Sequence, residues 1–146
     1  MIALGADHGG YTLKEATKKY LDEKGLQYKD FGCFSTESVD YPDMVKDPCQ
    51  AVVDKTCTTA LLFCGTGVGI SIAANKIKGI RACCCSDVFS AKYTRLHNDA
   101  NALCLGGRVC GEGLALELID TFLNTDFEGG RHTARIAKIT ELENNF

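Results

Sequence analysis

Short apolar runs alternate with longer amphipathic stretches along the whole chain. Ile2 to Asp7 is nearly all apolar and predicts a buried strand. Thr12 to Glu23 repeats apolar residues at helical spacing, with Leu13, Ala16, Tyr20 and Leu21 on one face and Gly25 as the stop. Gln27 to Phe31 predicts a second strand. Pro42 to Lys55 holds a helix that Pro48 would interrupt. Thr59 to Cys64 is a third strand, with a helix after it to Ile77. Ile80 to Cys85 and Ala102 to Leu105 are the fourth and fifth strands, followed by helices over Val88 to Leu96 and Leu114 to Leu123. A last helix covers Thr133 to Asn144. Strands alternating with helices of this length need right-handed crossovers and a parallel sheet. The expectation is one Rossmann-like three-layer α/β domain over residues 1–146, a five-stranded parallel sheet with helices on both faces. No linker, repeat or low-complexity segment divides it.

Ligands of such folds bind at the carboxyl ends of the strands. The rule gathers Asp7-His8, Gly32-Cys33, Cys64 to Gly69, Ser86-Asp87 and Gly106-Gly107-Arg108 on one rim. The segments Ser38 to Asp43 and Leu96 to Asn101 are expected to approach the same rim. Its centre is Cys64-Gly65-Thr66-Gly67-Val68-Gly69-Ile70-Ser71, a glycine-rich loop between a strand and a helix N-terminus. That geometry aims backbone N–H groups and a helix dipole at one point, where an anion can sit. Cys64 at the strand tip faces the same point, an anion cradle beside a potential thiolate. The pairing suggests proton chemistry on a substrate that becomes negative as it reacts.

Composition narrows the classes. The net charge of −3 over 146 residues does not suggest nucleic-acid binding. No run of about 18 apolar residues predicts a membrane span, and Met1 to Ala6 lacks the basic start of a signal peptide. Nine cysteines in such a chain imply a reducing, cytoplasmic compartment. They contain no C-x-x-C pair, and Cys83, Cys84 and Cys85 would alternate between the faces of a strand, so no metal site is expected. A dinucleotide site is disfavoured. The first strand–helix turn carries Asp7 where a pyrophosphate would come close, and the later loop is G-x-G-x-G. Arg131 and Arg135, four apart, read either as solvated side chains or as a phosphate clamp.

Six segments then come in a family's order: Gly5-Ala6-Asp7-His8-Gly9-Gly10, Ser38-Val39-Asp40-Tyr41-Pro42-Asp43, Cys64 to Gly69, Ala73-Ala74-Asn75-Lys76, His97-Asn98-Asp99-Ala100-Asn101 and Gly129-Gly130-Arg131-His132-Thr133-Ala134-Arg135. The chain resembles the B-type ribose-5-phosphate isomerases, whose group also contains galactose-6-phosphate isomerase subunits. The resemblance implies interconversion of ribose 5-phosphate and ribulose 5-phosphate through a cis-enediolate. By it Cys64 is the base, because the glutamate of the family's other branch is here Ile70. Gly65, Gly67, Val68 and Gly69 would hold the enediolate through their N–H groups, and Thr66 would relay or donate a proton. His97 would open the sugar ring. Asp7, Asn98 and Tyr41 would bind sugar hydroxyls, and His8, Arg108, Arg131 and Arg135 would surround the phosphate. No metal or organic cofactor is implied. The resemblance also implies a homodimer, or a tetramer, with His97, Asn98 and Arg108 reaching into a partner's site. Isomerases of galactose or allose 6-phosphate are the alternative, and a non-catalytic phosphosugar-binding module is the alternative of another class. Cys83 to Cys85, Cys104 and Cys110 belong to none of these motifs; Cys104 reads as core.

Overall fold

A computed structural model describes residues 1–146. Five parallel strands, β1 (Ile2–Ala6), β2 (Tyr28–Asp30), β3 (Thr59–Cys64), β4 (Ala82–Cys84) and β5 (Ala102–Gly106), form one sheet in the order β2-β1-β3-β5-β4. The helices are α1 (Tyr11–Glu23), α2 (Lys46–Val53), α3 (Val68–Ala74), α4 (Val88–Asn98), α5 (Glu112–Leu123) and α6 (Arg131–Asn145). The three-layer α/β architecture is the one expected.

Strand alternation sorts the core into two layers. Leu4, Leu61, Phe63, Leu103 and Leu105 face Leu13 and Leu21 of α1 and Leu118, Ile119 and Phe122 of α5. Ala3, Leu62, Cys64 and Cys104 face Cys49 and Val52 of α2 and Ile70 and Ala74 of α3. The central strands are buried on both sides, which is why their sequences read as unbroken apolar runs. Cys104, fully buried, is the core residue its spacing predicts. From β1 the chain goes to β2 on one side and then crosses to β3 on the other. The carboxyl ends of β1 and β3 therefore flank a topological switch point, the position where open sheets leave a crevice.

Several boundaries differ from those the spacing predicts. Pro48 does not interrupt its helix: it lies in the first turn of α2, where no N–H is needed, after a 3₁₀ turn over Asp43–Val45. β4 is an edge strand of three residues rather than six. α3 ends at Ala74, three residues early, and α5 and α6 each start two residues early.

The buried face of α1 is Leu13, Lys14, Thr17 and Leu21, not the wholly apolar stripe of Leu13, Ala16, Tyr20 and Leu21. Thr17 Oγ1 donates to the Leu13 carbonyl at 2.8 Å. Lys14 is fully buried, and its Nζ lies 2.5 Å from Asp30 Oδ2 and 3.3 Å from Glu15 Oε1. Burial raises the carboxyl pKa of Asp30, but hydrogen bonds from Lys14, the Gly32 N–H and Lys18 outweigh it and hold it below the usual range. The pair fastens α1 to the end of β2.

Asp30→Asn should destabilise the fold by about 3 kcal/mol in urea unfolding at pH 7, because it leaves the Lys14 ammonium buried with only Glu15. The stabilisation from a lowered carboxyl pKa is present above its unfolded value and is lost as pH falls through the native one. The wild-type chain should accordingly lose stability more steeply than the variant below about pH 4. Parallel pH dependences for the two proteins would show that Asp30 is not the group responsible.

Candidate active site

The loops after β1, β3 and β5 meet backbone against backbone. A methyl group on Gly9 would lie 2.9 Å from the Gly65 nitrogen, and one on Gly106 would lie 2.5 Å from the Thr66 carbonyl carbon. Glycine is required at both contacts. The Gly107 N–H donates to the Cys64 carbonyl at 2.8 Å and the Arg108 N–H to the Gly65 carbonyl at 3.0 Å. Asp7, 6% exposed, turns its carboxylate inward, where Oδ1 accepts the N–H groups of Gly9 at 2.9 Å and Gly10 at 3.1 Å.

Cys64 sits at the tip of β3. Its Sγ accepts the Gly67 N–H at 3.1 Å, and Gly67 holds the left-handed φ of 79° that starts α3. The Val68 N–H donates to Thr66 Oγ1 at 3.2 Å. Within this loop the Gly67 and Val68 N–H groups are thus engaged by Cys64 and Thr66. The N–H groups of Gly65, Thr66, Gly69 and Ile70 have no acceptor within the chain.

Three more of the expected residues surround this loop. The Tyr41 ring covers Gly69, 2.9 Å from where a methyl on Gly69 would sit. His8 Nδ1 accepts the Val39 N–H at 3.2 Å, which draws the segment bearing Tyr41 toward the β1 loop. Arg108 extends along Gly65, its Nη1 3.3 Å from where a methyl there would sit. Within this chain Arg108 thus lies at its own Cys64 rim.

The remaining residues lie elsewhere. His97 and Asn98 end α4, and α4 runs away from the rim. The Asn98 carbonyl accepts Arg81 Nε at 2.9 Å just ahead of β4, and the Asn101 carbonyl accepts the Ala60 N–H at the start of β3. This is the amino end of the strands, about 17 Å from Cys64 along a six-residue strand. The expectation that Leu96 to Asn101 approaches the carboxyl rim is corrected for this reason. Arg131 and Arg135, both exposed, belong to the first turns of α6, on the His97 side.

Two neighbours of His97 carry no role in the sequence reading. The ring of His132, 4% exposed, stacks on His97 with centroids 4.1 Å apart. Burial, His97 and Arg131 hold its imidazole pKa below the ordinary value. Glu128 Oε2 lies 3.5 Å from His97 Nε2 and 3.9 Å from His132 Nε2. The signal for this group was the Glu128–His132 spacing of four around Gly129 and Gly130. The two rings lie 13° from parallel, so their lone pairs run side by side and do not converge on one ion.

No helix of the structure is long and apolar enough to cross a membrane. A ribose/galactose isomerase family model matches residues 2–139. The chain is 46% identical over 142 residues to ribose-5-phosphate isomerase B of Escherichia coli, covering 97% of this chain and 95% of that one. The structure of ribose-5-phosphate isomerase B from Clostridium thermocellum superposes with a TM-score of 0.96 at 49% identity, covering 98% and 97% of the two chains. That of the Mycoplasma genitalium enzyme with bound ribulose-5-phosphate does so with a TM-score of 0.94 at 36% identity, covering 99% and 97%. These likenesses set aside a non-catalytic binding module and meet the resemblance on which the roles above were assigned. The chain belongs to the ribose/galactose isomerase family and is a sugar-phosphate isomerase of the B type.

Proposed function

We propose that this isomerase interconverts ribose 5-phosphate and ribulose 5-phosphate through a cis-enediolate, with Cys64 as the base. The observation that carries the reading is Cys64 Sγ at the strand tip, held by the Gly67 N–H beside four N–H groups with no acceptor in the chain. The thiolate takes the proton from C2 of the open aldose. The electron pair forms the C1–C2 double bond, and O1 becomes an oxyanion that the free N–H groups stabilise. Thr66 passes the O2 proton to O1, and the Cys64 thiol returns its proton to C1, which leaves the ketose. Asp7 and Tyr41 border the space for the sugar chain, and His8 and Arg108 lie at the same rim for its polar groups.

This half-site lacks a ring-opening group and a second pair of cations. His97, Asn98, Arg131 and Arg135 supply both, at the other end of the sheet. We infer a homodimer in which these residues of one subunit complete the Cys64 rim of its partner, with a phosphorylated sugar between them. A cleft of about 670 Å³ lies away from Cys64, on the Asn98 side, bordered by Lys76, Arg81, Asn98, Ile139 and Phe146. Nine unpaired cysteines, one of them the base, fit a reducing cytoplasm.

Cys64→Ala should lower turnover of ribose 5-phosphate by about 10² to 10⁴ while leaving the fold intact. It should also stop exchange of the C1 proton of ribulose 5-phosphate with deuterated solvent. Exchange at the wild-type rate in this variant would assign the base to another residue. The same coupled assay, run on allose and galactose 6-phosphates, should show the five-carbon substrate far ahead; a six-carbon substrate in front would replace the substrate assignment and leave Cys64 in place.

Mixing Cys64→Ala with His97→Ala tests the shared site. A mixed dimer holds one doubly damaged site and one wild-type site. Random exchange of equal amounts makes about half the dimers mixed, so activity should recover to roughly a quarter of wild type. No recovery after demonstrated subunit exchange would return His97 to its own chain.

A further inference from the structure

His97 is held on three sides by groups that the isomerisation chemistry does not use. Along α4, Phe89 stacks on Tyr93 at 4.2 Å and Tyr93 meets His97 edge-on at 5.0 Å. Across to α6, His97 stacks on His132 at 4.1 Å. On the third side is Glu128. Its N–H donates to the Leu96 carbonyl at 3.0 Å, which fastens its loop to the turn of α4 that bears His97. Gly129 and Gly130, with φ of 72° and 59°, then turn the chain into α6 and bring His132 beneath the same carboxylate.

His132 is a peculiar choice for a packing residue. Its Nε2 is buried with no hydrogen-bond partner, although a phenylalanine would fill the space with no polar atom to leave unmet. What histidine adds is a flat polar surface against His97, and a ring nitrogen that shares Glu128 with it.

We propose that Glu128 and His132 are positioning residues for His97, fixing its imidazole in one orientation and stabilising its charged form during ring opening. The proposal rests on the reading of His97 as the ring-opening group. In that step His97 takes the proton from the C1 hydroxyl. The bond between C1 and the ring oxygen O4 breaks, its electron pair goes to O4, and His97 returns the proton there, leaving the C1 aldehyde. For part of the step His97 is an imidazolium beside the stacked His132, with Arg131 and Arg135 as positive neighbours on α6 and Tyr93 on α4. The Glu128 carboxylate offsets that positive surrounding.

Two rates separate positioning from mere packing. Ribulose 5-phosphate has no free C5 hydroxyl and stays open, so exchange of its C1 proton with deuterated solvent uses Cys64 and not the ring-opening group. Net conversion of ribose 5-phosphate uses both. Glu128→Gln and His132→Phe should each lower net conversion by about tenfold or more, part of the 10² to 10⁴ expected of an acid–base group. Both should keep C1 exchange within about twofold of wild type. Glu128 is exposed, so its variant keeps the test open even if His132→Phe folds poorly. His97→Ala is measured alongside. If it splits the two rates and the other variants leave both unchanged, the positioning roles are overturned and His97 stands. If Glu128→Gln and His132→Phe lower exchange and conversion together, their role is structural and the proposal is overturned. If His97→Ala itself leaves conversion unchanged, the reading of His97 fails and the positioning roles with it.

Discussion

Three strand-end loops that touch without intervening side chains set the geometry of the reactive end. Gly9 lies against Gly65, and Gly106 against Thr66, at distances a single Cβ would close. Hydrogen bonds from Gly107 and Arg108 lock the same loops together. The close approach brings Asp7, Cys64 and Arg108 to one rim even though 101 residues separate the first from the last. The same rim holds the turn at Gly67 that offers its N–H to the sulfur, the ring of Tyr41 over Gly69, and the inward carboxylate of Asp7. A sulfur positioned by backbone contacts has little freedom to drift, which is what the proposed proton transfer between adjacent carbons demands.

Much of this was legible in the chain. Buried parallel strands leave apolar runs, and glycine between a strand and a helix marks backbone contact, so the sheet, its layers and the Cys64 loop could be read directly. Lys14 could not. Its burial depends on Asp30, sixteen residues away on another element, and helical periodicity reports only which side faces inward. The place of the segment Leu96 to Asn101 within its own chain was misread for a different reason. A helix that follows a strand of a parallel sheet starts at the carboxyl rim and runs back along the sheet, so its last residues face the opposite end. The topology already contained that fact, and proximity in sequence to polar residues was the poorer guide. Glu128 and His132 escaped notice because their spacing of four around a glycine turn does not point to His97; the stacking of His132 and the nearness of Glu128 do.

The two groups of proposed functional residues differ in how they are built. Around Cys64 the donors are main-chain N–H groups, and of the side chains Asp7 and Cys64 are buried while Thr66, Tyr41 and Arg108 are exposed. Around His97 the groups are side chains on helix surfaces, held by rings and by a carboxylate, with Arg131 and Arg135 open to solvent. The first arrangement depends on the sheet, whose central strands are buried on both sides. The second depends on the contact between α4 and α6.

Separation of about one strand length between these groups has a consequence for how such a protein can diverge. The Cys64 end, written in backbone, is costly to alter, since a change there disturbs the sheet itself. The helix-borne cluster tolerates exchange of side chains, and small shifts of one subunit against another would move it as a block. Descent from a common ancestor can then lengthen or shorten the sugar that fits while the reacting end stays the same, with the variation confined to surfaces that contribute little to the core.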